Sequence, residues 1–401
     1  MNITQGNIFW EKGMDIKYNY PYITKDRKCD VLVIGGGISG ALSAYYQAKQ
    51  GYNVIIVEKN LIGYNSTLEN VGVLIGKVEN DSVNKKKSKR ELDKLNALQQ
   101  EAIQDITEII AEINSGKEEK EKLEYTLCNL ISYSEKATGR FALSRQYDEE
   151  IANKVPVQYV EENTVLDISG AIEYKDRALI LNPYIFNQEL INMLDQMENV
   201  EVYENTFVES INSKDSEVEA LTSNRFKIHA KKVILATGVA MIKYLKEEEL
   251  ELYKTHNIVA KIPENINIEP FVAIDEINNK FVRITNNHVI LNGEDIKVTS
   301  KEAKDEYEAR FAKGKYKKLY NNLLKLLNTD NIKIKNCFYG MYIMTKDRLP
   351  IIDEIEEMPN VYCNLGVGKN GIIHNLIGAK MLKNIYSDCY TKDMYMFRIS
   401  K

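Results

Sequence analysis

The sequence predicts an α/β chain: a Rossmann-like nucleotide-binding domain on a parallel sheet, carrying an inserted α+β domain with an antiparallel sheet. Three stretches predict the first domain. Val31-Leu-Val-Ile34 is an apolar run that leads into Gly35-x-Gly37-x-x-Gly40; a helical segment from Ala41 to Gln50, a stop at Gly51 and a second apolar run ending in Glu58 follow. Lys231-Lys-Val-Ile-Leu-Ala-Thr-Gly238 is a later buried strand closed by small residues, and Gly366 to Tyr386 is a glycine loop feeding a helix. Between these pieces, short segments alternate apolar and polar residues, the period of half-buried antiparallel strands. The nucleotide domain is therefore expected in 29–84, 180–240 and 340–401, the inserted domain in 85–179 and 241–339, and an arm in 1–28.

The elements follow in chain order. Phe9, Trp10, Tyr18, Tyr20 and Tyr22 punctuate a polar arm, whose aromatics are expected to pack on the main body. In the glycine turn, Gly35 permits the tight bend, Gly37 lets a pyrophosphate approach the backbone, and Gly40 lets helix and strand pack closely. The helix N-terminus offers unpaired N–H groups to phosphates. Glu58 stands where a carboxylate accepts the two hydroxyls of an adenosine ribose. Residues 84–126 read as an amphipathic helical region broken at Ser115-Gly116. Leu127–Tyr133, Val155–Val160, Ala171–Tyr174 and Ala178–Leu181 read as strands, and Asn182-Pro183 starts a helix. Val200–Tyr203, Thr206–Ile211 and Phe226–His229 form a meander. Ile258–Ile262, Phe271–Ile274, Phe281–Thr285 and Val289–Leu291 alternate as an antiparallel sheet. Lys301–Leu327 is a second amphipathic helical region, broken near Gly314, and Phe338–Met344 is a strand.

The net charge of -5 gives no electrostatic case for nucleic-acid binding. No apolar run is long enough to span a bilayer, and residues 1–10 lack the basic and apolar regions of a signal peptide. The five cysteines are dispersed, which reads as reduced thiols in a cytoplasmic protein, and four scattered histidines argue against a metal site. The wealth of Lys, Asn, Ile and Tyr is that of an AT-rich bacterial genome.

Taken together, these motifs resemble the D-amino-acid oxidase/glycine oxidase (DAO) superfamily of FAD-dependent oxidoreductases, over roughly residues 28–386. The residues that carry the resemblance are Cys29 to Gly40, Glu58 to Gly63, Asn65-Ser66-Thr67, Lys231 to Gly238, the hairpin Phe281–Thr285 with Leu291–Asp295, Thr345 to Ile352, and Asn360 to Ile372. The resemblance implies a glutathione-reductase-type FAD domain and non-covalent FAD. It implies FAD contacts from Gly35, Gly37, Ile38, Ser39, Gly40, Glu58, Lys59, Ser66, Thr67, Val208, Ala236, Thr237 and Gly238. Gly368, Lys369, Asn370, Gly371 and Ile372 would face the pyrimidine end of the flavin, where backbone N–H groups stabilise negative charge. Lys369 stands where relatives commonly have glycine; its ammonium either points at the flavin and raises its potential or points outward. A nicotinamide fold would need neither the late Ala-Thr-Gly turn nor the C-terminal glycine loop.

The sequence departs from the family at Asp353, where relatives commonly have glycine, and most of all at the substrate-binding position. Amino-acid oxidases of the family fix a substrate carboxylate with an arginine where Tyr342 stands here, and tyrosine cannot form that bidentate charged fork. Tyr342 is thus the expected substrate contact and Arg283 the candidate substitute cation, its other role being packing within the hairpin. His374 is expected to be a packing residue.

The implied function is hydride transfer from a small amine, amino acid or imino acid to flavin N5, with oxygen or another compound as electron acceptor. The alternatives are a flavin dehydrogenase of a hydroxy compound and an FAD-binding member that has lost turnover. Cys337 lies three residues from Gly340, the place of a flavin-linking cysteine in some relatives, and so faces the other way. Acid precipitation should therefore leave the yellow cofactor in the supernatant, and a yellow pellet would refute non-covalent binding.

Overall fold

The computed structural model describes residues 9–11, 18–79, 83–135, 137–163, 165–168, 170–214, 216–245, 250–262, 268–275, 277–285, 287–299, 308–383, 386 and 394–399. Parts of the expected arm, the first residues of the 301–327 helix and Cys389 lie outside them.

The chain opens with β1 (Arg27–Ile34), α1 (Ile38–Lys49) and β2 (Val54–Val57), followed by β3 (Val73–Ile75). A capping box starts α2 (Lys89–Ile113): the Ser88 side chain accepts from Glu91 N–H while the Glu91 carboxylate accepts from Ser88 N–H. Next come β4 (Tyr125–Tyr133), α3 (Ala137–Ala152), β5 (Val157–Val160) and β6 (Ala171–Leu181). Asn182 caps α4 (Pro183–Asp195) by accepting from Tyr184 and Ile185 N–H, with proline pre-set for the first turn. β7 (Val200–Tyr203), β8 (Val208–Ser213), β9 (Val218–Thr222) and β10 (Lys227–Leu235) lead to β11 (Leu250–Lys261), β12 (Phe271–Asp275), β13 (Lys280–Ile284) and β14 (His288–Val298). The chain continues through α5 (Glu308–Leu326), β15 (Lys333–Thr345), β16 (Ile351–Glu354), β17 (Val361–Leu365) and α6 (Gly371–Leu382).

The first sheet runs β16-β17-β10-β1-β2-β7. All neighbours along it are parallel except β16 against β17. One face carries Val31, Val33, Val54 and Ile56 into a core with α1, α4 and α6, and the other carries Leu32, Ile34, Ile55 and Val57 against residues of β8, β9 and β11. Burial on both faces explains why these strands read as continuous apolar runs. The path leaves β1 toward β2 on one side and toward β10 on the other. That reversal opens a crevice at the carboxyl end of β1.

The second sheet runs β15-β11-β14-β13-β12-β4-β6-β3, with β5 beside β6, and is antiparallel except for β12 against β4. Tyr316, Leu319 and Leu323 of α5 cover one face, while the other packs on Leu68, Val71 and Tyr184. The two sheets thus meet across the loop that follows β2.

Several elements differ from the sequence reading for local reasons. The apolar stripe of α2, Leu95 to Ile113, packs with α4 and α6 and against Leu74 of β3 and Leu179 and Leu181 of β6. The two strands expected in 171–181 are one, with Asp176 at positive φ inside it. Gly314 does not break α5, because buried residues on both sides of it, Ala312 and Tyr316, hold the helix on the sheet. Of the arm, Trp10 is buried and its indole N–H donates to Asn70 O.

Candidate active site

The crevice is a cavity of about 290 Å³, reaching from the β1 and β2 carboxyl ends past the turn after β10 to Met341, Tyr342 and Ile343 of β15. Its floor is backbone. Gly35 has φ +118, and a Cβ there would stand 2.3 Å from Ala236 O. A Cβ at Gly40 would stand 1.8 Å from Gly35 O, so only glycine lets α1 sit on the turn. Gly37 is the N-cap of α1 without a side-chain cap, and Thr67 Oγ1 accepts from Ile38 N–H at 3.1 Å.

At the end of β2, the buried Glu58 accepts from Gly36 N–H through Oε2 at 2.8 Å and from Asn60 N–H through Oε1 at 3.0 Å. Two anchors fix the carboxylate and leave each oxygen a lone pair for a further donor. The Thr237 hydroxyl on the cavity wall is buried without a partner among the described residues, an open position for a polar ligand group.

Most expected contacts converge here. Gly35, Gly37, Ile38, Ser39, Glu58, Lys59, Ser66, Thr67, Val208, Ala236, Thr237, Gly238, Gly368, Gly371, Ile372 and Tyr342 all line the cavity. Gly40 lies under the turn, while Lys369 and Asn370 stand behind the glycine loop and support it. Asn370 exchanges two hydrogen bonds with the main chain of Ile75. Lys369 takes neither expected course: its ammonium is 2.9 Å from the Asp295 carboxylate, both half-buried, and also donates to Asn279 O. Tyr342 donates to Asp295 Oδ2 at 3.2 Å and stacks on Tyr253; burial, then the Asp295 charge, pushes its phenol up, so it remains a donor. Asn279 Nδ2 donates to the same oxygen at 2.7 Å.

Arg283 is absent from the cavity. It is buried against the Trp10 ring, and its Nη1 donates to the carbonyls of Val71, Gly72 and Leu181. Burial lowers its guanidinium to about 9. The structure therefore corrects the expectation of a substrate-binding cation: Arg283 holds the loop after β2 against β13. His374 is a packing residue, its ring N–H donating to Val367 O at 2.8 Å, and burial pushes it down to about 4. Cys337 packs with the α5 core, away from the cavity. A Cβ at Gly340 would stand 3.1 Å from Glu69 O, which leaves little room for a linking side chain.

The profile of the FAD dependent oxidoreductase family (DAO) matches residues 30–385. The chain belongs to this family. Glycine oxidase from Geobacillus kaustophilus superposes with a TM-score of 0.75 at 17% identity, over 94% of this chain and 99% of that one. Iminodiacetate oxidase from Chelativorans sp. BNC1 gives 0.73 at 15% identity, over 92% and 98%. Gamma-glutamylputrescine oxidoreductase from Escherichia coli K12 is 38% identical over 53 residues, 13% of this chain and 12% of its own. The chain spans about a tenth of the length of the curated relatives it matches.

FAD is the cofactor of this DAO-family chain, and the residues present fit it. A bare glycine cradle suits a pyrophosphate, an anchored carboxylate suits a ribose, and a second glycine loop opens on the far end of the cavity. Among the described residues no His, Cys, Asp and Glu cluster suits a metal, and no helix is long and apolar enough to cross a membrane.

Sequence reasoning missed Glu69, Lys254 and Asp295. Lys254 carried a signal: it continues the buried row Leu250, Leu252 of β11, where a cation needs a reason. Glu69 carried none, and Asp295, although it closes the quoted hairpin Leu291–Asp295, carried no sign that it would meet Tyr342 and Lys369.

Two outcomes follow. Arg283→Met strips three buried carbonyls of their donor and should lower unfolding stability by about 2–4 kcal/mol in denaturant titration, while the flavin spectrum of the folded protein stays unchanged; a lost substrate response at full stability would contradict this. Glu58→Gln should weaken FAD binding about ten- to a hundredfold by fluorescence titration, and unchanged affinity would remove Glu58 from the ribose site.

Proposed function

We propose that the protein oxidises a C–N bond of a small amine, amino acid or imino acid. The observation that carries this reading is the cavity itself, which joins a dinucleotide cradle to an aromatic wall on the antiparallel sheet. The activities for which the relatives are named support it, since glycine, iminodiacetate and gamma-glutamylputrescine each hold an amine nitrogen bonded to carbon.

When bound, FAD would supply a two-electron acceptor, with oxygen or another compound as the final acceptor. The chain supplies position and electrostatics. Gly35 and Gly37 with the α1 N-terminus would hold the pyrophosphate, and Glu58 would accept the ribose hydroxyls. Main-chain N–H groups at Gly368 to Ile372 and the α6 N-terminus would supply hydrogen bonds and a positive dipole end to the flavin. Tyr342 is the wall residue against which a substrate rests, with its hydroxyl held by Asp295.

The deciding experiment is the visible spectrum of the purified protein under anaerobic addition of amines, amino acids and hydroxy acids. Bleaching by a compound with a C–N bond is the expected result. Bleaching by hydroxy acids alone would replace this reading with a hydroxy-compound dehydrogenase, and bleaching by none would point to a member without turnover.

A further inference from the structure

A carboxylate taken out of water is costly unless a cation or several hydrogen-bond donors meet it. A neutral amine asks for less, since an acceptor oxygen satisfies its N–H. An amino acid and a plain amine thus need different walls, and this comparison rests on the C–N reading above. Among the described residues that line the cavity, the lysines and arginines come to Lys59 and Lys243. Both belong to the ribose end. Lys59 follows Glu58 in the chain. The Lys243 ammonium lies 5.9 Å from the centre of the Phe207 ring, and the neighbouring Thr206 N–H donates to the Glu58 carbonyl.

At the β15 end of the cavity the side-chain donors are already engaged. The Tyr342 hydroxyl gives its hydrogen to Asp295 Oδ2 at 3.2 Å. What it keeps for a ligand is an acceptor oxygen and no donor. The Lys369 ammonium lies 2.9 Å from that same Asp295 oxygen and donates to Asn279 O, so the layer behind Tyr342 is an ion pair and not a free charge. Arg283 is outside the lining, with its Nη1 on the carbonyls of Val71, Gly72 and Leu181. Met341 and Ile343 complete this stretch of the lining and bring no charge. The main-chain N–H groups at Gly368 to Ile372 are those that a bound flavin would take.

We propose that the substrate carries no carboxylate on its reacting carbon, and that Tyr342 selects it by accepting an N–H of the amine on its hydroxyl oxygen. A carboxylate seated against this wall meets an oxygen lone pair and no cation. One hydrogen bond further back it meets the carboxylate of Asp295, whose charge Lys369 already balances. The acid group of an α-amino acid is thereby turned away. An alkylamine or a cyclic secondary amine leaves no charge unmet.

The test uses the FAD-loaded protein and two ligands that differ in one group: tert-butylamine, and 2-aminoisobutyrate, in which a carboxylate replaces one methyl. Neither has a hydrogen on the carbon bearing nitrogen, so both bind without being oxidised. Affinity is read from the flavin difference spectrum. The wild-type protein should bind tert-butylamine about a hundredfold more tightly than 2-aminoisobutyrate. Tyr342→Phe should cost the amine about tenfold and narrow the gap between the two ligands, which general damage to the fold would not do. Equal affinities, a preference for the amino acid, no binding of the amine, or a gap unchanged in Tyr342→Phe would overturn the proposal. The bleaching panel reports separately on the C–N reading: if no amine bleaches the flavin while tert-butylamine still binds in preference, the reaction is refuted and the selective wall stands.

Discussion

The structure depends on one close approach of main chain to main chain. At the carboxyl ends of β1 and β10, Gly35 meets the Ala236 carbonyl while Gly40 meets the carbonyl of Gly35, with no side chain between them. This contact seats the first turn of α1 on the sheet, and the parallel register of β1 with β10 sets its height. Because the chain reverses direction across the sheet there, the crevice and the helix N-terminus occupy the same place. Any side chain at these positions would separate the strands that the cavity is built on.

The antiparallel sheet is held to this frame by buried charge, as well as by apolar packing. Arg283 reaches from β13 to the carbonyls of Val71, Gly72 and Leu181, and Lys369 reaches from the glycine loop to Asp295 of β14. The Lys369 contact crosses from the first sheet's glycine loop to the second sheet, while Arg283 ties the second sheet to the loop after β2 and to its own strand β6. Charges buried in this way are costly unless their hydrogen-bonding groups are met, so they define one arrangement of the two sheets more sharply than apolar contacts would. The price falls on function: neither cation remains available to a carboxylate in the cavity.

Legibility in the sequence followed the range of the interaction. The β–α–β unit was legible because its glycines, apolar strands and Glu58 lie within thirty or so residues and each answers to a local rule. The later turn at Ala236-Thr-Gly238 and the loop at Gly368 to Ile372 were legible through their resemblance to a family. Arg283 was misplaced because an arginine in a hairpin reads the same whether it meets substrate or three carbonyls. Its partners, Val71, Gly72 and Leu181, come from two distant parts of the chain, and no local pattern announces them. The strand at 171–181 was read as two because Lys175-Asp-Arg177 interrupts the apolar run, whereas pairing on both sides carries β6 through. The length of β11 was missed for the same reason, since two neighbours, β14 and β15, sustain it beyond its apolar segment.

The wall formed by Met341 and Tyr342 shows how a site's chemistry can lie in residues outside its lining. Tyr342 is an aromatic donor, but the oxygen it points to belongs to Asp295, whose charge is balanced by Lys369. Met341 is apolar, but its main-chain N–H goes to Glu69, and Lys254 stands opposite it. Two consecutive residues are thus each backed by one carboxylate and one lysine. Such a wall presents aromatic and apolar surface to a ligand while its ionisable groups lie one layer behind. Tyrosine in place of a charged fork is then consistent with the rest of the wall: a guanidinium at position 342 would compete with Lys369 for Asp295 and break the balance on which that arrangement rests.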